Sequence, residues 1–367
     1  MSGRYVSIAI VSMMAIPLLA SPVVGEWETD TWLSNVIGPE RLANGDEFGC
    51  HGYEGVSITE QNWVIESCKN YLVGQTNASR WGEEPISFGI NSESIDQETA
   101  QTLINSGFQI VGDLLSDAPE GLIVVQRNGA SLEKGVADKK LLESAIEDSL
   151  VSIHWRARID DLRVREDKDV ISWLEDQEVW LTTWAEWNLH KTSGEATSLS
   201  IEGNVITSIS PPSEEWEVPG SISIQLDTKV ISVFGPDGED FPVFDPGMKK
   251  LELGWRESEE GILLTQLPGT SVTVILDSPS ESITFEPVVT FNDHHHSVTI
   301  VGHHTSNLFR WSSDFQDSEL VFTWLVERSE SESIGWMIPV IAVTVFIAAS
   351  ASITYLLRKD EFTGSRF

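Results

Sequence analysis

The chain has 367 residues, enough for two or three domains of ordinary size, and its 57 acidic and 23 basic side chains give a formal net charge of −34. This charge excludes nucleic acid and anionic lipid as favoured partners, because their phosphate groups would be repelled. A solubilising surface in a salty medium is the simplest explanation for the charge, and a surface that concentrates cations is the alternative.

Apolar segments at the two ends predict an exported, membrane-anchored protein. Residues 5–20 carry no charge, follow Arg4 and precede small residues, which is typical of a secretory signal peptide, here 1–25. Residues 336–357 form a second uncharged run, long enough as a helix to cross a hydrocarbon core of about 30 Å. Because Arg358 and Lys359 follow, the tail 358–367 is expected in the cytoplasm and the bulk of the chain outside the cell membrane, as in a single-pass type I protein.

The two cysteines, Cys50 and Cys68, both fall in the segment expected outside the cell. An oxidising compartment favours a disulfide between them, and a metal-bound or catalytic thiol is the alternative. Asn77 begins an Asn-Ala-Ser sequon, so it is a candidate for glycosylation on the same side of the membrane.

Between about residues 50 and 190, apolar runs typical of buried strands alternate with amphipathic stretches typical of helices. Strands are expected at 86–90, 108–112, 121–126, 150–155 and 179–183. One of the intervening helices can be capped by Asp96 and ended by Gly107. Continuous apolar strands between amphipathic helices predict an α/β fold with a largely parallel sheet or barrel, buried on both faces.

Beyond about residue 195 the pattern becomes that of antiparallel β structure. Short alternating or apolar runs are separated by Gly, Pro and Asp, and no helical period is present. We expect a β-sandwich-like domain over 193–276, a short β segment over 277–327 and a polar stalk over 328–335 that leads to the membrane.

Several motifs of the first half occur in a characteristic order. They are GDEFGCHGYEG (45–55), ISFGINSESIDQETAQTLINSGFQIV (86–111), LVSIHW (150–155) and VISWLEDQEVWLTTWAE (170–186). In order and spacing they resemble the polysaccharide deacetylases, a family of carbohydrate esterases. The resemblance implies a deformed β/α barrel, complete or incomplete, over 26–192, and removal of acetyl groups from sugars.

In that family an aspartate and two histidines hold a divalent metal, usually zinc, and a histidine on a late strand acts as the acid. By this resemblance His51 is a metal ligand and His154 is the catalytic acid. Gly55 stands in the place of the second metal histidine, and Gly89 in that of an arginine that orients the base. The strand that should supply a carboxylate before His51 has no match, so a degenerate metal site is expected.

Three functions remain open on this basis. The first is a cell-surface, deacetylase-like protein that binds or weakly processes acetylated glycans. The second is a non-enzymatic adhesion or envelope-structural protein, whose partner is a glycan or another component of the cell envelope. The third is an active metal-dependent deacetylase that recruits ligands from elsewhere in the chain.

Two further features suggest sites. Histidines crowd into NDHHHSVTIVGHH, which suggests an alternative cluster for zinc or another divalent metal at His294, His296, His303 and His304. If 297–302 is a strand, its two ends are about 20 Å apart, so a single ion would require the chain to fold back. Trp155, beside His154, is the candidate for stacking on a sugar ring, although core packing is the more common role of such a residue.

Overall fold

The computed structural model describes residues 33–34, 38–129, 131, 138–157, 168–304, 318–329 and 337–364. The predicted signal peptide 1–25 lies outside these residues. The helices are α1 Gly38–Asn44, α2 Trp63–Val73, α3 Gln97–Asn105, α4 Lys139–Glu143, α5 Lys168–Glu175, α6 Trp184–Ala196 and α7 Met337–Gly364. The strands are β1 Glu47–Glu54, β2 Ser87–Ile90, β3 Ile110–Asp113, β4 Ile123–Gln126, β5 Leu150–Ala157, β6 Trp180–Leu181, β7 Ser198–Glu202, β8 Val205–Ile209, β9 Gly220–Gln225, β10 Val230–Phe234, β11 Gly254–Ser258, β12 Gly261–Gln266, β13 Ser271–Leu276, β14 Thr284–Val288, β15 Ser297–His304 and β16 Phe322–Ser329.

Strands β1–β6, β15 and β16 form one parallel sheet. Its strands follow the order β4-β3-β2-β1-β16-β15-β5, with β6 beside β15, and every pairing is parallel. The chain after β4 runs beside β5, where the Gly129 amide donates to the Ser152 carbonyl at 2.9 Å and Ser131 bridges to His154. The sheet is therefore barrel-like and nearly closed, and the predicted mixed α/β fold with a parallel sheet is confirmed.

The strands β15 and β16 come from the segment that the sequence analysis assigned to a short β segment after the sandwich. They lie between β1 and β5, so the chain leaves the sheet after β6 and returns to it about residue 297. Residues 297–303 of β15 and 322–327 of β16 are buried on both faces, which is what a parallel sheet covered by helices requires.

Helix α2 covers β1. Its buried side chains include Val64, Cys68 and Leu72, which recur at helical spacing on the face turned to the sheet. Cys68 forms a disulfide with Cys50 of β1, so the predicted disulfide is confirmed. The next helix, α3, is capped by the Asp96 carboxylate, which accepts a hydrogen bond from the Thr99 amide at 2.7 Å, as predicted.

The chain between β6 and β15 contains two antiparallel sheets. Their strand orders are β10-β13-β8-β7 and β11-β12-β9-β14. Apolar side chains from both sheets share one core, for example Ile206 with Val274 from the first sheet and Ile224 with Leu264 from the second. This sandwich-like arrangement contacts the barrel region through α6, which packs against β9 and β14.

Helix α7 covers most of the segment for which a membrane span was predicted and continues to Gly364. Its described side chains between Val340 and Tyr355 are exposed, Phe346 at 73 %. None of the helices in the described part of the chain reaches the length and apolar character that crossing a membrane requires. The structure thus gives no support to the span 336–357, which stays a prediction together with the tail 358–367.

Candidate functional site

A cluster of histidine and carboxylate side chains occupies the carboxyl end of the barrel. It draws one residue from each of five parallel strands. They are His51 of β1, Asp113 of β3, His154 of β5, His303 of β15 and Glu327 of β16. The carboxyl ends of the strands are where β/α barrels carry their active sites, so the cluster lies where function is expected.

The position of His51 depends on an irregularity in β1. The pairing of β1 with β16 shifts in register between Cys50 and Gly52, and His51 lies at that shift. Such bulges re-aim a side chain relative to the rest of the strand. Gly89 on β2 leaves room for the His51 ring, since a Cβ at this glycine would lie 2.6 Å from Cδ2 of His51. A larger residue at position 89 would therefore collide with the His51 ring unless that ring moved.

Asp113 is the residue through which the cluster is connected. Its carboxylate lies 3.2 Å from Nε2 of His51 and 3.4 Å from Nε2 of His303, and it forms an ion pair with Arg127. The backbone of Asp113 is in the left-handed region, with φ 74°. This conformation is uncommon for a residue with a Cβ, and such exceptions concentrate at functional sites.

Three imidazole rings lie side by side in the cluster. The ring centroid of His303 is 4.5 Å from that of His51 and 4.9 Å from that of His154, with the last two rings edge to face. His51 and His303 are buried, whereas His154 is half-buried. His303 therefore stands between a buried histidine and a more accessible one.

The second carboxylate, Glu327, lies on the other side of the His51 ring. Its Oε1 is 3.4 Å from Nδ1 of His51, and that buried nitrogen makes no hydrogen bond to any residue that the structure describes. When Nε2 carries the proton and donates to Asp113, Nδ1 presents a lone pair to a carboxylate oxygen. Two such groups attract each other only through a proton or a cation between them.

The donor set fits a divalent metal. His51, His303 and Glu327 each offer an atom, and these atoms lie within 4.8 Å of one another; the same holds for Asp113, His154 and His303. Donors placed 2.0–2.1 Å from a tetrahedral zinc ion are roughly 3.3–3.4 Å apart. The 3.4 Å between Nδ1 of His51 and Oε1 of Glu327 matches that spacing. Groups of potential metal ligands are therefore present, as the sequence analysis expected for His51.

The alternative histidine cluster is divided in the structure. His303 joins the site described above, while His294 is buried and hydrogen-bonds through Nε2 to the Met248 carbonyl at 2.9 Å. His296 precedes β15 and His304 ends it, so they lie at opposite ends of one strand. The four predicted ligands are therefore not brought together, because an extended strand separates them.

Trp155 is packed in the core and does not face the cluster. It is 3 % exposed, and its ring meets Trp324 and Phe322 edge to face. Neighbouring residues of a strand point to opposite sides, so His154 and Trp155 cannot both face the barrel interior. Trp155 therefore has a packing role in this structure, and its sugar-stacking role stays a prediction. Asn77 of the sequon is exposed.

Sequence reasoning missed Asp113, Arg127 and Glu327. Two of them could have been found from the sequence. Asp113 and Glu327 are acidic residues at the carboxyl ends of apolar runs, and polar residues at that position of parallel strands are candidates for a functional site. Glu327 was overlooked because its segment was assigned to a stalk-side module. It supplies the carboxylate beside His51 that was sought upstream in the chain.

No protein-family description, characterised protein or solved structure matches the chain. The likeness to polysaccharide deacetylases therefore rests on the sequence motifs alone.

Proposed function

We propose that the protein is a metal-dependent hydrolase of the polysaccharide-deacetylase type, which removes acetyl groups from glycans outside the cell. The observation that carries the proposal is the buried set of His51, His303 and Glu327 at the carboxyl end of the barrel, with 3.4 Å between Nδ1 of His51 and Oε1 of Glu327. This is the active-deacetylase alternative, in which ligands absent from the family motif come from elsewhere in the chain.

We assign the metal to His51, His303 and Glu327. Two imidazoles and one carboxylate are a donor set that catalytic zinc uses in other hydrolases. An ion bound there would lower the pKa of a water molecule and polarise the acetyl carbonyl. The other group of potential ligands contains Asp113, whose ion pair with Arg127 makes that position less favourable for a second cation.

Asp113 would act as the positioning carboxylate. Its carboxylate would accept a hydrogen bond from Nε2–H of His51 at 3.2 Å, which favours the tautomer whose Nδ1 lone pair is directed to the metal position. Arg127 holds Asp113 from the opposite side by its ion pair. Such outer partners of a ligating histidine commonly change metal affinity by about 10- to 100-fold when removed.

His154 is the candidate acid. Of the three clustered histidines it is the one that is half-buried, so its ring can reach both the site and solvent. Its edge-to-face contact with His303 at 4.9 Å orients the ring next to the metal position. In the protonated form it would donate its proton to the leaving amine or alkoxide of the sugar.

The location and partner rest on the sequence. The uncharged runs 5–20 and 336–357 support export and a single membrane anchor, and the charge of −34 disfavours nucleic acid. We propose a membrane-anchored surface protein whose substrate is an acetylated glycan of the cell envelope or the surroundings.

The test is zinc content and acetate release with matched variants of the full-length protein. His303→Ala should lose stoichiometric zinc and release of acetate from acetylated chito-oligosaccharides, because both candidate ligand groups contain His303. Glu327→Gln should lose zinc, whereas Asp113→Asn should retain it with affinity reduced about 10- to 100-fold. His295→Ala, which removes an exposed histidine, is the control and should behave like the wild type.

Zinc bound equally well by Glu327→Gln and lost from Asp113→Asn would move the metal to the other ligand group. Wild-type protein without metal and without acetate release would contradict the enzyme proposal.

One observation favours a non-enzymatic alternative. Four of the five cluster residues are buried, so a metal held there could serve only to join the strands. In that case the protein binds glycans or supports the cell envelope without catalysis. Zinc retention together with no acetate release and a large loss of stability on chelation would favour this alternative.

A further inference from the structure

We infer that the disulfide Cys50–Cys68, together with Val64, holds the two metal ligands His51 and Glu327 in place, so that metal affinity depends on the redox state of this disulfide. The inference rests on the proposed metal site. It assigns to α2 the role of a positioning element, acting through the strands that carry the ligands.

The first contact lies immediately before His51 in the chain. Cys50 is bonded to Cys68 of α2, and both side chains are fully buried. The register of β1 shifts directly after Cys50, so the disulfide anchors the residue from which the irregularity begins. Because such an irregularity sets the direction of the side chain that it carries, loosening its anchor should change the direction of the His51 side chain.

The second contact lies immediately after His51. Gly52 has φ 90°, and a Cβ there would lie 2.5 Å from Cγ1 of Val64, which is also on α2. Val64 and Cys68 are four residues apart, so they share one face of the helix. Helix α2 therefore contacts β1 on both sides of His51, once through a covalent bond and once through close packing.

The third contact reaches the strand that carries Glu327. Sγ of Cys68 lies 3.9 Å from the carbonyl oxygen of Val326, the residue before Glu327. Cys50 is also the pairing partner of Val326 in the sheet. The disulfide thus lies directly behind both His51 and Glu327, on the face of the sheet opposite to them.

Removing the bond should loosen the ligands more than the barrel. Metal binding requires donor atoms held within a few tenths of an ångström, whereas the core around α2 retains its apolar contacts. Reduction by a phosphine adds one hydrogen to each sulfur and converts the phosphine and a water molecule to the phosphine oxide. The two thiols that result no longer restrain β1 against α2.

The experiment measures zinc affinity of the full-length protein by competition with a chromophoric chelator. The double variant Cys50→Ala, Cys68→Ala should bind zinc about 10- to 100-fold more weakly than the oxidised wild type. Val64→Ala should weaken binding in the same direction while the disulfide is intact. The control is Leu103→Ala, which removes a fully buried side chain from α3, a helix without the disulfide, and should leave zinc affinity unchanged.

The ring NMR signals of the metal-free protein supply an independent measurement. His51 signals should move in the double variant and in the phosphine-reduced wild type, while those of His190, a fully buried histidine of α6, should stay in place. Unchanged zinc affinity in the folded double variant would overturn the inference. If the wild type binds no zinc, the proposed function fails, and the positioning role is then decided by whether the His51 signals move.

Discussion

The two ends of the barrel interior are built by the same strands and differ in chemistry. At the amino end, β1, β5, β15 and β16 present Glu47, Ser152, Thr299 and Thr323, all fully buried. At the carboxyl end the same four strands present His51, His154, His303 and Glu327. Two to four residues farther along each strand, the interior therefore changes from three hydroxyl groups and one carboxyl group to three imidazoles and one carboxyl group, which are potential metal ligands.

At the amino end, hydrogen bonds join the start of α6 to three strands of the sheet. The indole of Trp184, at the start of α6, donates to Ser152 at 3.1 Å, and the Trp184 amide donates to Thr323 at 3.0 Å. The Ala185 amide donates to the Glu47 carboxyl group at 3.0 Å. This places a carboxyl group at the amino terminus of α6, where the helix dipole favours negative charge. At the other end, among the residues that the structure describes, none forms a hydrogen bond with the buried Nδ1 of His51. The hydrogen bonds to α6 stabilise the amino end, whereas the groups at the carboxyl end form the candidate metal site.

Truncation of the side chain that fills the amino end should have the largest effect. Trp184→Ala should lower the free energy of unfolding by about 3–5 kcal/mol, because it empties a fully buried volume and leaves Ser152 without its donor. Urea unfolding followed by circular dichroism measures this. Trp63→Ala, at a tryptophan that is 39 % exposed, is the control and should change stability by much less. Equal losses in the two variants would remove the distinction between the ends.

The helix that closes the amino end should also make the fold sensitive to acid. His190 of α6 donates through Nδ1 to the Pro219 carbonyl at 2.7 Å, and burial lowers its pKa from 6.5 to about 4. Below pH 6.5 His190 is protonated in the unfolded chain but stays neutral in the folded protein. The free energy of unfolding therefore falls as pH decreases from 6.5 to about 4. The total loss should be about 3 kcal/mol.

Unfolding free energies of wild type and His190→Gln, measured by urea titration across that range, give the check. The variant should show a shallower decline toward acid. Parallel pH profiles would mean that other groups cause the acid sensitivity.

A smaller effect is expected from Glu47. Burial raises the pKa of its carboxyl group above 4.5, and hydrogen bonds from Ser87 and Ala185 oppose this only in part. A raised pKa stabilises the fold below 4.5, and this contribution is lost as pH rises through the folded value. Glu47→Gln, which keeps the shape without the charge, should therefore cost no more than about 1 kcal/mol near neutral pH and flatten the profile above pH 4.5. A large loss near neutral pH would show that the ionised form is required.

Local sequence rules predicted many elements of the barrel but not which strands belong to its sheet. The alternation of apolar strands and amphipathic helices, the Asp96 cap and the disulfide all follow from short-range patterns. The membership of β15 and β16 does not, because a two-domain pattern in the sequence does not reveal that the chain returns to the first sheet after an insertion. That return is a long-range property set by packing of the sheet as a whole.

The site was predictable only in its local part. His51 and His154 were identified from motifs, and His303 from a histidine-rich segment, but their meeting depends on strand order. The position of Asp113 depends on a left-handed backbone conformation at this residue, which the residue types in this stretch do not predict. Gly89 was interpreted as the absence of an arginine that orients the base, and in the structure its missing side chain makes space for the His51 ring.

The late return of β15 and β16 constrains how the protein acquires its structure. Strand β1 pairs with β16, and the Trp324 indole donates to Asp46 across 278 residues of sequence. High contact order of this kind slows folding, because a long loop must close before the contacts that reward it exist. During synthesis, the edge of β1 that pairs with β16 therefore stays unpaired until the chain has been made as far as β16. Because His51 and Glu327 lie on these two strands, they can meet only after β16 has joined the sheet, so a fragment that lacks β16 cannot form this pair.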